Sequence, residues 1–256
     1  MKKLIVALSL ALFVSVMVVA VSVNFLGFGD GMDAGGNEID YFAENSFECE
    51  KTENADFVTY APKGVKARYG LIFYVGTAIA PANYDYLGES LAKQGYLMVV
   101  PKASKGFTYL MYTENELAFE AYPDVEFFVG GHSQGGGAAV RRAGENLEKV
   151  KGVVLYAPLC YGTDTLVGTG MPTLLLEASN DGVLTADMKA DAKTRLPEYR
   201  TEYMLDGCHM SFSTMDADAT LKMFNDGPAT EEVKVAQRED TTEYTLNFMQ
   251  QVLMRK

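Results

Sequence analysis

A short glycine-rich stretch holds a serine in a setting suited to nucleophilic chemistry. Ser133 stands in the segment GHSQG, residues 131–135, which has the pattern Gly-x-Ser-x-Gly. A strand-like apolar run at 125–129 precedes it, and a helix-like composition follows it. In a sharp strand-to-helix turn the serine hydroxyl projects, and side chains two residues before or after the serine would collide. The pattern and its setting therefore predict a nucleophilic serine, against the alternative of an ordinary glycine-rich turn.

A serine hydroxyl needs a neighbouring base to act as a nucleophile, and the chain has two histidines. His132 is adjacent to the serine, and its backbone direction points away from where a base must stand. We therefore expect it to pack or form a hydrogen bond beside the turn. His209 lies in the segment GCHMSF, just past the last predicted strand. We predict that His209 is the base, against the alternative of a solvated loop side chain.

The acid that orients the base is expected at a strand end between Ser133 and His209 in chain order. Asp181, in the segment SNDG, directly follows an apolar strand and is the first choice. Asp164 is the second choice, and Glu177 falls within the predicted strand. The alternative for Asp181 is a common Asn-Asp-Gly turn without a catalytic role.

Two backbone N–H groups are expected to form an oxyanion hole, which stabilises the negative charge that develops in acyl transfer. One would belong to Gln134, immediately after the serine. The other would belong to Thr77, in the loop that follows the strand ending at Val75, where Gly76 gives the chain room to turn. The alternative for this loop is an ordinary strand-to-helix turn.

Short apolar runs alternate with helical patterns and predict the elements that position these residues. Strands alternating with helices predict an α/β fold, a mostly parallel sheet with helices on both faces, whose ligand site lies beyond the carboxyl ends of the strands. The predicted strands are 47–51, 55–60, 69–75, 96–100, 125–129, 153–157, 173–178 and 199–205. The predicted helices are 84–92, 113–121 (with Thr113 as cap), the segment after Ser133, 187–195 and 239–254.

Charge and cysteine content restrict the partners and cofactors. The formal net charge of −12 argues against nucleic acid and against an anionic membrane surface as partners, although plain solubility is the favoured explanation of the charge. Three cysteines and two histidines offer no credible zinc ligand set, so neither a metal nor another cofactor is expected. A disulfide between Cys160 and Cys208 is conceivable.

The N-terminal segment, residues 1–26, is predicted to be a membrane anchor. Two lysines precede an uncharged run from Leu4 to Leu26, which exceeds the roughly 20 residues that a transmembrane helix needs. The lysines favour a cytoplasmic N-terminus and an extracytoplasmic domain. The alternative is a signal peptide cleaved after Ala20, with secretion of the remainder. Residues 27–43 are predicted to be a flexible tether and residues 44–256 a single domain.

The chain resembles the alpha/beta-hydrolase superfamily, and within it the compact group related to dienelactone hydrolases and small carboxylesterases. The resemblance covers about residues 69–254 and implies a triad of Ser133, His209 and Asp181. Val75-Gly76-Thr77 stands where many relatives carry Pro-Gly-Gly or His-Gly. Dienelactone hydrolases have a cysteine nucleophile, so their substrate is not implied. The matching segments are GLIFYVGTAIAPANYDYLGESLAKQGYLMVVPK, VGGHSQGG, LLLEASNDGV, DGCHMSFS and NDGPAT.

Two connections bear on the substrate. The one from Ala157 to Met171 is too short for the helical cap of larger relatives, so no large cap is expected. The segment 211–238 is long for a connection and predicts a rim over the site, with Phe212 facing the acyl group, or else a packed surface excursion. We expect hydrolysis of small, short-chain carboxylic esters through an acyl-enzyme. The alternatives are a peptidase or acyltransferase with the same triad and a non-catalytic surface binding module; the oligomeric state stays open.

Overall fold

A mostly parallel eight-stranded sheet organises the part of the chain that this computed structural model describes, residues 38–102, 116–162, 164–215 and 225–255. The strand order is β1-β2-β4-β3-β5-β6-β7-β8. β1 and β2 pair in antiparallel fashion, as do β2 and β4, whereas β4, β3 and β5 to β8 are parallel. The strands are β1 (Cys49–Glu53), β2 (Phe57–Pro62), β3 (Tyr69–Tyr74), β4 (Leu97–Pro101), β5 (Glu126–His132), β6 (Val150–Tyr156), β7 (Thr173–Ala178) and β8 (Thr201–Leu205). The predicted α/β fold is thereby confirmed.

Helices cover both faces of the sheet. The helices are α1 (Asp85–Lys93), α2 (Glu116–Ala121), α3 (Gln134–Glu145), α4 (Ala186–Thr194) and α5 (Glu231–Met254), with 3₁₀ turns at Pro81–Tyr84 and His209–Phe212. The predicted cap Thr113 lies outside the described residues. The last helix begins at Glu231 rather than near Glu239, because the side chain of Thr230 accepts a hydrogen bond from the Val233 N–H and caps the helix there.

Continuous apolar runs form the central strands because their residues are buried on both faces. Every residue of β3 and of β7 is buried. Phe73 belongs to a hydrophobic cluster that includes residues of α1 and α5, whereas its neighbour Ile72 belongs to a second cluster with residues of α3 and α4. Because the two clusters lie on opposite faces of β3, a shift of one residue would exchange the faces, so the strand register is fixed. The parallel pairing of β4, β3 and β5 to β8 brings their carboxyl ends to one edge of the sheet.

Residues that precede the first strand already pack against the domain. Ile39 and Tyr41 are buried, and the Tyr41 hydroxyl accepts hydrogen bonds from the N–H groups of Arg68 and Tyr69. The packed domain therefore extends into the segment 27–43 that was predicted to be a tether. Residues 1–26, the predicted anchor, lie outside the described residues. Within the described ranges, no helix is both long and apolar enough to cross a membrane.

Candidate active site

Ser133 occupies a strained turn between β5 and α3. Its φ of 55° and ψ of −122° are unusual for a residue with a side chain. A Cβ atom at Gly131 would collide with the carbonyl group of Gly135, and one at Gly135 would collide with the carbonyl oxygen of Tyr74. The two glycines of the Gly-x-Ser-x-Gly pattern are thus required by close backbone approach.

Backbone hydrogen bonds hold this turn in place. The Ser133 N–H donates to the carbonyl of Tyr156 at 2.9 Å, which ties the turn to the end of β6. The Ser133 carbonyl accepts from the N–H groups of Leu159 at 2.8 Å and Gly136 at 2.9 Å. The serine position is therefore fixed by the sheet, the following helix and the loop after β6.

His209 and Asp181 meet at the ends of the last two strands. His209 Nδ1 lies 3.0 Å from Asp181 Oδ2, while Asp181 Oδ1 accepts from the N–H groups of Val183 and Leu184 at 2.9 Å each. A carboxylate bound to Nδ1 favours the tautomer with a proton on that atom. His209 Nε2 is then left as an acceptor, and it is buried with no hydrogen-bond partner among the described residues.

Electrostatics favour an ionised Asp181. Burial, the largest single influence, would raise the pKa of this carboxyl group, whereas its hydrogen bond to His209 and the charge interaction with that ring lower the pKa. The Leu184 N–H and the Lys189 ammonium, 3.7 Å from Oδ2, act in the same direction. The pKa of Asp181 therefore lies below its ordinary value, and the carboxylate is available to orient the imidazole.

One cavity of about 190 Å³ contains the predicted nucleophile, base and both oxyanion residues. Its lining carries no charged side chain among the residues described. Within those ranges no group of three or more His, Cys, Asp or Glu side chains is arranged to hold a metal ion. The lining residues are Thr77, Ile79, Ser133, Gln134, Leu159, Val183, Leu184, Met188, His209 and Met210.

The predicted oxyanion residues Gln134 and Thr77 line the same cavity as Ser133. Gln134 is the first residue of α3, so its N–H has no carbonyl one turn earlier to bind. Thr77 lies in the β3 loop, residues 75–80, and its Oγ1 is buried with no partner among the described residues. The Tyr84 hydroxyl anchors this loop, because it accepts from the Gly76 N–H at 3.1 Å and lies 2.8 Å from His132 Nδ1.

His132 and the other candidate acids have separate contacts. His132 is buried, bound to Tyr84, and its ring centre lies 4.7 Å from that of His209. Asp164 accepts from the Tyr161 N–H at 3.4 Å, and Glu177 forms an ion pair with Lys193 at 2.5 Å. Of the three acids considered, Asp181 is the one hydrogen-bonded to His209.

The expectation for Phe212 is wrong, and the disulfide considered between Cys160 and Cys208 is not formed. Phe212 is fully buried in the core, stacked on Tyr156 at 5.4 Å, and does not line the cavity. The 3₁₀ turn that begins at His209 directs Phe212 inward. Cys160 and Cys208 are free thiols, and Cys208 Sγ lies 2.8 Å from Ser211 Oγ.

Two further polar residues at the site carried no sequence-based assignment. Asp226 is buried and accepts backbone hydrogen bonds from the segments that hold Asp181 and His209. Gln237, on α5, bonds to the backbone of Cys208. The only signal in the sequence was the segment NDGPAT, which contains Asp226.

The sequence profile of the alpha/beta hydrolase family matches residues 70–218, more than half of the chain, and the chain belongs to this family. A comparison with curated proteins finds no sequence match. The crystal structure of a predicted CIB-like hydrolase from Thermoplasma acidophilum is similar, with a TM-score of 0.57 and 14% sequence identity over 80% of this chain and 98% of that one. This likeness concerns the fold alone. Family and fold together define a hydrolase.

Proposed function

We propose that the protein is a serine hydrolase that cleaves short-chain carboxylic esters through an acyl-enzyme. One observation carries the proposal. Ser133, in its strained turn, lines the same cavity as His209, whose Nδ1 is bound to Asp181 and whose Nε2 has no partner among the residues that the structure describes. A nucleophile, a base and an orienting acid in this arrangement are suited to acyl transfer.

In the first half of the proposed reaction, Ser133 Oγ attacks the ester carbonyl carbon while His209 Nε2 takes the hydroxyl proton. The N–H groups of Gln134 and Thr77 stabilise the oxyanion, each contributing roughly 3 kcal/mol. The intermediate collapses to the acyl-enzyme, and the alcohol leaves with the proton from His209. In the second half, water attacks the acyl-enzyme with the same proton transfers and releases the carboxylic acid.

Cavity size and polarity support a small, uncharged acyl group. The volume of about 190 Å³ is below the roughly 300–1,000 Å³ of typical ligand pockets. Apart from the groups of the proposed chemistry, the lining is aliphatic, with Ile79, Leu159 and Met188 among its members. A buried CH₂ group contributes about 0.8 kcal/mol, and that gain ends when the acyl chain outgrows the cavity.

Two other functions share these residues. A peptidase or acyltransferase would use the same nucleophile and base but would accept an amide or transfer the acyl group to another acceptor. A non-catalytic binding module would keep the fold without reacting. The buried Nε2 of His209, which has no partner in the described part of the chain, favours a reactive site over a binding module, since a buried polar atom without a partner is costly.

Covalent labelling tests the nucleophile. A fluorophosphonate probe should label the wild-type protein and Ser90→Ala, a control on α1, but not Ser133→Ala. Labelling of Ser133→Ala at the wild-type rate would contradict the assignment, and absence of labelling in all three would favour a binding module.

An acyl series tests the substrate class. We expect kcat/KM for nitrophenyl esters to be highest at about two to six acyl carbons and to fall beyond. A rise that continues past about ten carbons would contradict a small cavity. Faster cleavage of the matched nitroanilides would favour a peptidase.

A further inference from the structure

Asp226 is a buried carboxylate whose two oxygens accept four backbone hydrogen bonds. Only 7% of the surface of Asp226 is exposed to solvent. Oδ1 accepts from the N–H groups of Gly182 at 3.0 Å, His209 at 3.2 Å and Gly227 at 2.8 Å. Oδ2 accepts from the Met210 N–H at 2.8 Å. A charged acceptor with this many donors is among the stronger hydrogen-bonding arrangements in a protein interior.

Three of these four donors come from two loops that are separate in the chain, and the fourth is the neighbouring residue Gly227. Gly182 belongs to the β7 loop, residues 179–185, and directly follows Asp181. His209 and Met210 belong to the β8 loop, residues 206–213. One carboxylate therefore joins the backbone beside Asp181 to the backbone of His209 itself.

Neighbouring contacts restrict both loops further. Gln237 is fully buried, and its amide accepts from the Cys208 N–H and donates to the Cys208 carbonyl, both at 3.1 Å. A Cβ atom at Gly182 would lie 2.7 Å from the Gly227 nitrogen, so the two backbones are in close contact. The N–H groups of residues 208, 209 and 210 are thus all bound by side chains from the segment that follows residue 225.

We propose that Asp226 is a positioning residue, which holds the β7 and β8 loops at the spacing that lets His209 bind Asp181. The role rests on the proposed function, in which this pair makes Ser133 nucleophilic. Both Asp226 oxygens must accept, and a carboxylate is the side-chain group that provides two acceptor oxygens. With an amide, at least one N–H of the set loses its acceptor and meets a donor instead, and the loops separate.

The isosteric change Asp226→Asn tests this role. Because a shift of about 1 Å can cost about 10²-fold in rate, we expect kcat for a short ester to fall by about that factor while KM changes less than about two-fold. Glu177→Gln is the matched control, a buried carboxylate whose ion pair with Lys193 lies outside both loops. It should lower the melting temperature without a comparable loss in kcat. Equal kcat in the two variants, measured well below their melting temperatures, would overturn the proposal.

A double-mutant cycle separates positioning from general stability. In an Asp181→Asn background, the alignment that Asp226 maintains is already lost, so adding Asp226→Asn should cost less than about three-fold in kcat. If the second substitution cost about 10²-fold in both backgrounds, Asp226 would act independently of Asp181 and the proposal would fail.

A third measurement does not depend on activity. The Nδ1 proton of His209, hydrogen-bonded to Asp181, should give a downfield proton resonance that is absent from His209→Ala. Asp226→Asn should shift or broaden it, and Glu177→Gln should not. An unchanged resonance in Asp226→Asn would reject the positioning role even in a protein that cleaves no ester. If Asp226→Asn does not fold, Gln237→Glu, which removes the donor to the Cys208 carbonyl, should shift the resonance in the same way, and an unchanged resonance there would reject the role.

Discussion

At residue 133 the backbone conformation is part of the proposed chemistry. A non-glycine residue with φ of 55° and ψ of −122° costs on the order of 1–3 kcal/mol. The hydrogen bonds to Tyr156, Leu159 and Gly136 offset that cost, because they are available only when the serine holds this position. In this backbone conformation Ser133 lines the cavity.

Thr77 offers two possible donors to the oxyanion, its N–H and its hydroxyl. Thr77→Val keeps the N–H and the side-chain shape but removes Oγ1, which is buried with no partner among the described residues. Because the substitution removes a hydroxyl group that has no such partner, the melting temperature of Thr77→Val should equal or exceed that of the wild type. If the N–H is the donor, kcat should fall less than about ten-fold. A loss of about 10²–10³-fold, restored in Thr77→Ser, would instead assign the donor to the hydroxyl.

His132 should make the folded state sensitive to mild acid. Burial, and next the charge of His209, lower its pKa well below the ordinary value of 6.5, although Asp181 partly opposes them. The unfolded chain therefore binds a proton that the folded protein does not as the pH falls below about 6.5. The contribution of neutral His132 to the free energy of unfolding is therefore fully present above about pH 6.5. It is lost as the pH falls below that value, at up to about 1.4 kcal/mol per pH unit.

Chemical denaturation at pH 7, 6 and 5 measures this dependence. His132→Gln can still accept a hydrogen bond from Tyr84, and its free energy of unfolding should change less between pH 7 and pH 5 than that of the wild type. Parallel curves for the two proteins would contradict the assignment. The lowered pKa of Asp181 makes the free energy of unfolding depend on pH only below about pH 4, so it does not affect the comparison between pH 7 and pH 5.

At the scale of secondary-structure elements, the β3 loop is tied to β5 by one hydroxyl group. Tyr84→Phe removes the partner of both the Gly76 N–H and His132 Nδ1. Two buried groups lose their bonds, so we expect a loss of about 2–4 kcal/mol in the free energy of unfolding. Tyr74→Phe is the control, since the buried Tyr74 hydroxyl has no partner in the described ranges, and it should cost nothing. Equal losses would show that the bridge does not stabilise the loop.

Strands could be predicted from the sequence because their signals are local. The run 69–75 is apolar throughout, and the run 173–178 is apolar except for Thr173 and Glu177, as burial on both faces favours. The start of α5 was missed because residues 231–238 include Lys234, Gln237 and Arg238, which conceal the helical period, whereas the cap at Thr230 depends on geometry. Phe212 was misplaced because its direction is set by the 3₁₀ turn at His209, which spacing alone does not reveal.

The candidate site was predictable where one residue type limits the choice. Two histidines and one Gly-x-Ser-x-Gly segment leave few combinations, and the structure brings Ser133, His209, Gln134 and Thr77 around one cavity. Asp226 and Gln237 were not predictable, because acidic residues and amides are frequent in the chain. Their contacts depend on how the segment after residue 225 returns to the sheet edge.

At the scale of the whole molecule, attachment to a membrane remains a prediction. The uncharged run from Leu4 to Leu26 motivates it. In a bacterial host, the full chain should sediment with membranes and resist extraction at high salt. A chain that begins at residue 38 should stay in the supernatant. A shortened, soluble product with its N-terminus near Val21 would show a cleaved signal peptide.

The strand order has a consequence for how quickly activity returns after denaturation. Thr77, Ser133, Asp181, His209 and Asp226 are far apart in the chain, and they meet only when β3 and β5 to β8 are all in register. Contacts of such long sequence separation form slowly, because each must first close a large loop of chain. Ester hydrolysis during refolding should therefore recover at the rate of the slowest phase seen by circular dichroism. Activity that returned before that phase would contradict this expectation. Ester turnover would then report when assembly of the sheet is complete.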